Sequence, residues 1–184
     1  MKPTKVTAIG FAVLVLLVSM FLIVFERNNN MRPEKALNSF SRLIEQGRIG
    51  DLSLTVYYSF VFTIMPLSVD MLVNASYPTQ KVVVGGDELE GHADLFKQIS
   101  SAALIPVENE SRIDARVYYV FKTKHNRKIF DVAMWGADYS IYVNGLEVKS
   151  DDVFYDMIIP FAPEELVRWL ESRKIYSKGA GPVE

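Results

Sequence analysis

The sequence predicts an α+β protein: an N-terminal transmembrane helix, followed by one domain with a mainly antiparallel sheet and flanking helices. Three observations lead there. Val6 to Phe25 carries no ionisable side chain, and at about 1.5 Å of rise per helical residue it reaches roughly 30 Å, the thickness of a bilayer's hydrocarbon core. Behind it, segments of helical and strand period follow in the order helix, strands, helix, strands, helices, which separates helices from sheet. The C-terminal half also contains Asn144-Gly145, a turn pair that tolerates the positive φ angles of a type I′ hairpin.

The apolar run is longer than the core of a cleaved signal peptide and ends in Val24-Phe25-Glu26-Arg27, without a small-x-small cleavage site. The 184-residue chain has no cysteine, which excludes a lipidated cysteine anchor, disulfides, thiolate metal sites and cysteine nucleophiles. The run therefore reads as an uncleaved signal anchor over 6–25 that contacts the lipid bilayer. Lys2 and Lys5 precede it, while Arg27, Arg32 and Lys35 follow. The basic-then-apolar order puts residues 1–5 in the cytoplasm and the domain outside the cell membrane. A formal net charge of −2 exerts no global pull on nucleic acid.

Residues 26–32, with Asn28-Asn29-Asn30, form a polar tether. Pro33 suits a first helical turn; Leu37, Phe40 and Ile44 continue at helical spacing, and Gly47 stops the helix. Ser53 to Val69 has no charge, but its β-favouring composition and its Ser, Thr and Tyr content argue against a second span. Leu52, Leu54 and Val56 alternate with polar neighbours, and Phe60, Phe62 and Ile64 alternate with Val61 and Thr63, so two buried strands or one long bent strand are expected. Ser68 caps a short helix through Leu72, and Lys81 to Val84 form a strand.

After the Gly85-Gly86 turn, Asp87 and Glu90 mark the start of a helix whose face is Leu89, His92, Phe96, Ile99 and Ala103, ending before Pro106. A meander follows: Ile113 to Phe121, a tip at His125-Asn126, Ile129 to Trp135, Tyr139 to Val143 and Leu146 to Lys149. Val153 to Ile158 fit a short helix, and Pro163-Glu164-Glu165 open a last one through about Lys174, acids first and bases last, in agreement with the helix dipole. The domain thus spans 33–176, with a flexible tail over 177–184.

Candidate chemistry is sparse. A phosphate at Gly85-Gly86 would meet Asp87, Glu88 and Glu90 at the same helix end, and no nucleotide fingerprint is present. These acids, with His92 and Asp94, contain oxygen and imidazole ligands but no calcium-loop spacing, so helix-starting roles account for them. His92 and His125 are the two histidines, no Gly-x-Ser-x-Gly elbow occurs, and the neighbouring pairs Asp151-Asp152 and Glu164-Glu165 diverge on a helix. No catalytic residue, metal ligand or cofactor site is assigned.

Two groups of residues offer a candidate interaction surface. Lys122, Lys124, Arg127 and Lys128 concentrate positive charge around a hairpin tip, suited to acidic envelope polymers or lipid headgroups. Trp135, Tyr139 and Tyr142 belong to an aromatic set on the meander, half of which would be exposed if no element covers the second sheet face.

The stretch from Lys128-Ile129-Phe130-Asp131-Val132-Ala133-Met134-Trp135-Gly136 through Val143-Asn144-Gly145 and Phe154-Tyr155-Asp156 to Ile159-Pro160-Phe161, together with Pro66-Leu67-Ser68-Val69-Asp70, resembles uncharacterised single-pass proteins of Gram-positive, clostridial-type bacteria. The resemblance covers most of the predicted outer domain and implies a bacterial cell surface, where the Asn-x-Ser patterns at Asn74 and Asn109 would not be glycosylated. It implies no activity and no site residue. The expectation is a membrane-anchored extracytoplasmic binding or sensor module of the cell envelope, non-catalytic. An inhibitor or assembly partner of another envelope protein is the first alternative, and an envelope hydrolase the second.

Overall fold

The chain divides into Met1–Met31 and Arg32–Glu184. The computed structural model describes residues 32–179 apart from 62, 64, 100–102, 109–113 and 136–139, and leaves aside the side chains of 135 and 175–179. The predicted anchor and the tether up to residue 31 lie outside the described residues. Among those described, no helix is long and apolar enough to cross a membrane.

The domain is α+β. Six strands, β1 (Leu52–Tyr58), β2 (Gln80–Val84), β3 (Ala115–Thr123), β4 (Lys128–Trp135), β5 (Ile141–Val143) and β6 (Leu146–Val148), form one sheet in the order β2-β1-β3-β4-β5-β6. All neighbours are antiparallel. The helices are α1 (Pro33–Glu45), α2 (Val69–Val73), α3 (Gly86–Glu90), α4 (Ala93–Phe96), α5 (Asp152–Asp156) and α6 (Glu164–Gly179), with 3₁₀ turns at Ile49–Asp51 and Ile159–Phe161.

Period-two alternation in β1 fixes the two sheet faces. Leu52, Leu54, Val56 and Tyr58 are buried on the first, in register with Phe121, Tyr119 and Val117 of β3 beyond Leu52. α1 lays Ala36, Leu37, Phe40 and Ile44 on this face. The Phe40 ring meets Phe121 at 4.8 Å, Phe130 at 4.9 Å and Phe96 of α4 at 6.0 Å between centroids, in the tilted and edge-on geometries that ring quadrupoles favour. Pro33 opens α1, and Gly47 closes it at φ +65°, donating its N–H to the Ile44 carbonyl. In the same layer the Tyr119 hydroxyl donates to the Phe154 carbonyl at 2.9 Å.

The second face is covered. Leu67 and Leu72, with Val69, Met71 and Tyr77, pack on Tyr57, Tyr118, Val120, Ala133 and Tyr142. Ser68 caps α2 as predicted, accepting the Met71 N–H. The covering loop is held by a largely covered ion pair. The Arg116 guanidinium reaches Asp114 at 3.1 Å, the Thr63 hydroxyl at 3.0 Å and the Val61 carbonyl at 2.7 Å. Asp114 also accepts the Leu67 N–H at 2.7 Å.

Two expected elements differ. The strand predicted over Phe60, Phe62 and Ile64 is not formed at its described positions, because the backbone after Tyr58 is drawn to Arg116 instead of a neighbouring strand. The single helix from Asp87 is two short ones, α3 and α4, interrupted at Gly91-His92. Gly85 is the N-cap, and His92 is exposed, with its ring edge-on to Phe161 at 5.0 Å. The reason for glycine at position 86 is contact: a Cβ there would overlap the Gly50 carbonyl, so the 3₁₀ turn and α3 meet backbone to backbone. The last helix runs to Gly179, past its expected end at about Lys174.

Asn144 and Gly145 adopt φ +48° and +81°, the predicted I′ turn. Asn144 does more than turn the chain. Its Oδ1 accepts the Asp131 N–H at 2.9 Å while its own N–H donates to the Asp131 carbonyl, tying the β5–β6 hairpin to β4.

Candidate functional site

The four basic residues of the predicted interaction surface gather at the β3–β4 hairpin end, where two of them are ion-paired. Lys124 binds Asp51 at 2.9 Å and Lys128 binds Asp131 at 2.7 Å. Asp51 also takes Arg48, so its carboxyl is held below the usual range, first by Lys124 and then by Arg48. Lys122 lies opposite Lys128 in the ladder, and Arg127 is exposed at the tip. The basic cluster is thus partly neutralised by acids from its own domain. Tyr142 is a correction: it is 3% exposed, with its hydroxyl donating to Glu147 at 3.2 Å, because Leu67 and Leu72 cover that face. Tyr139 and the Trp135 side chain lie outside the described residues. Among those described, no group of three His, Asp or Glu side chains is arranged to hold a metal ion.

A different place has the shape of a binding site. Where β1 ends and β2 begins, Tyr58, Ser59, Phe60, Val61, Pro78, Thr79, Gln80 and Glu165 line an open cleft of about 400 Å³, within the range of small-ligand sites. Its walls are tied together. Ser59 donates its N–H to the Arg116 carbonyl and its hydroxyl to the Pro78 carbonyl at 2.7 Å. The Tyr58 hydroxyl donates to Gln80 Oε1, and Arg116 grips the Val61 carbonyl from behind.

Phe60 sits between Tyr58 and Trp169, at centroid distances of 5.4 and 5.7 Å. Glu165, Trp169 and Arg173 are spaced four apart on α6 and so share one helix face; the Arg173 guanidinium lies 4.9 Å from the Trp169 ring centre. The result is an aromatic ledge beside one carboxylate. Among the cleft-lining residues Glu165 is the only charged one. Burial, and secondarily the Glu165 charge, push the Tyr58 phenol above its ordinary pKa of 10.0. It stays a neutral hydrogen-bond donor at ambient pH. The Ser59 hydroxyl is committed to Pro78, and neither histidine lines the cleft, so the arrangement suits recognition better than nucleophilic or acid–base chemistry.

Tyr58 shares its upward shift with Tyr118 and Tyr119, which are also raised chiefly by burial, with Asp131 adding to the shift at Tyr118 and Tyr155 at Tyr119. Above about pH 10 an unfolded tyrosine loses its proton while these three keep theirs. The unfolded chain then binds fewer protons, so stability is full below that pH and falls as pH rises through the interval up to the folded values. Denaturant midpoints measured on either side of pH 10 are expected to drop on the alkaline side, and phenolate absorbance to grow in together with unfolding. A midpoint that stays flat across that interval would contradict the burial of these hydroxyls.

The fold and cleft define a class: a single α+β domain with a six-stranded antiparallel sheet and an aromatic, acid-edged cleft at one end. No family model, curated protein or solved structure matches this chain.

The sequence reading missed the cleft because its walls come from segments around residues 58–61, 78–80 and 165. One signal was available, namely the four-residue spacing of Glu165, Trp169 and Arg173 on the last predicted helix.

Proposed function

We propose that this chain is a non-catalytic binding module of the bacterial cell envelope, anchored in the membrane through Val6 to Phe25 and presenting the domain outside the cell. The uninterrupted apolar run supports the anchor. The observation that carries binding is the cleft: an aromatic ledge beside a carboxylate, on walls fixed by hydrogen bonds. Preformed concave sites with a few convergent polar groups are where ligands bind. A photocrosslinking residue in place of Thr79, which lines the cleft, tests this in intact cells against the same residue in place of Asn38, exposed on α1. A discrete adduct from position 79 that position 38 does not give is expected; equal labelling, or none at 79, would overturn the reading.

A second reading, an assembly partner of another envelope protein, is favoured by one observation. β2 is an end strand of the sheet, and an open edge accepts a strand from elsewhere.

A further inference from the structure

We infer that the cleft and the outer edge of β2 form one docking site for an extended peptide segment of a partner protein, with a Lys or Arg of that segment seated in the cleft. The inference rests on the cleft being the binding site. The two sheet edges are treated differently. β6 is covered by the chain around Pro106, which bridges Val148, while Lys149 donates its N–H to the Ile105 carbonyl at 2.7 Å and Val107 donates to the Glu147 carbonyl at 3.4 Å. Among the described residues no main-chain group bonds to the outer side of β2. Open edges are commonly blunted by charge or proline. Here the edge continues as Val82-Val83-Val84 with Val83 62% exposed, and the Lys81 ammonium lies 5.5 Å from the centre of the Tyr57 ring.

Register links this edge to the cleft. Gln80 pairs with Tyr58, and Gln80, Val82 and Val84 share the face of Tyr58, Val56 and Leu54. On a strand added to β2, the residue opposite Gln80 falls on that same face, beside the Tyr58–Gln80 hydrogen bond and the cleft. What it meets there are the Glu165 carboxylate and the half-buried Phe60 ring. Both attract a cation, and the carboxylate repels an acid. Main-chain pairing would hold the segment, and the cleft would select its residue.

The test uses the full chain in detergent micelles on an array of heptapeptides with Lys, Arg, Glu or norleucine at the centre and mixed flanking residues. Lys and Arg peptides are expected to bind about threefold to fivefold better than Glu or norleucine peptides, the size of an exposed charge contact. Of the two alternate sets of main-chain nitrogens, N-methylation of the one that faces β2 should abolish the signal, and Glu165→Gln should remove the preference for a cation. Equal signal for Lys and Glu, signal that survives N-methylation of both sets in turn, or no signal would each overturn the inference. The adduct at position 79 would still stand or fall separately as the test of the binding module. A dimer that Val83→Lys dissociates would assign the edge to a second copy of this chain and likewise overturn it.

Discussion

Replacing Arg116 with alanine is expected to cost about 1.5–3 kcal/mol of folding stability, the usual result of removing a largely covered charged hydrogen-bond partner. Both side chains are well covered, Arg116 at 14% and Asp114 at 11% exposure. The substitution strips Asp114 of this counter-charge and frees the Val61 carbonyl and the Thr63 hydroxyl from the guanidinium. The damage should be local as well as global. Residues 61–67 lead to Leu67, which covers the second sheet face, and Val61 is a wall of the cleft. Hydrogen exchange at the Leu67 amide, which donates to Asp114, is expected to accelerate well beyond exchange in β3. Arg116→Lys keeps the charge but not the planar fork that reaches three acceptors, so it should recover only part of the loss. Unchanged denaturant midpoints in the alanine variant would show that this loop is held by something other than the ion pair.

The second large effect is expected at Phe40. Its side chain is fully buried and in ring contact with Phe96, Phe121 and Phe130, so truncation to alanine removes both transfer energy and packing. A loss of about 3–5 kcal/mol is expected. Phe40→Leu keeps most of the volume and should cost less than about 1.5 kcal/mol. Chemical denaturation of the two variants side by side checks the order. Were both to cost the same small amount, α1 would not be the cover of the main core.

Where a structural preference is local, the sequence announced it. The alternation of Leu52, Leu54 and Val56 became β1 with that face inward, Pro33 and Gly47 bounded α1, Ser68 capped α2, and Asn144-Gly145 made its turn. What escaped was set by distant partners. Phe60 lies in a β-like pattern, yet the chain after it follows Arg116, far along the sequence. Leu89 and Phe96 keep a helical spacing and are buried, but the helix between them breaks at Gly91-His92. Whether the second aromatic face of the meander is exposed depends on a cover, and nothing in the pattern reveals that Leu67 and Leu72 would cover Tyr142. The cleft is the extreme case, since three separated segments build it and none carries a motif.

The meeting of Gly50 and Gly86 has a bearing on kinship. A side chain at position 86 would run into main-chain atoms of Gly50, and one at position 50 into the Glu90 side chain; the first obstacle is backbone and cannot swing aside. Sequences that have drifted beyond easy alignment but keep this architecture are therefore constrained to glycine at the equivalent of 86, just past a valine-rich strand, and to a small residue at the equivalent of 50, just before another. Paired with an acid, an aromatic and a base at four-residue steps on a closing helix, that spacing is a signature by which distant kin of this chain can be sought.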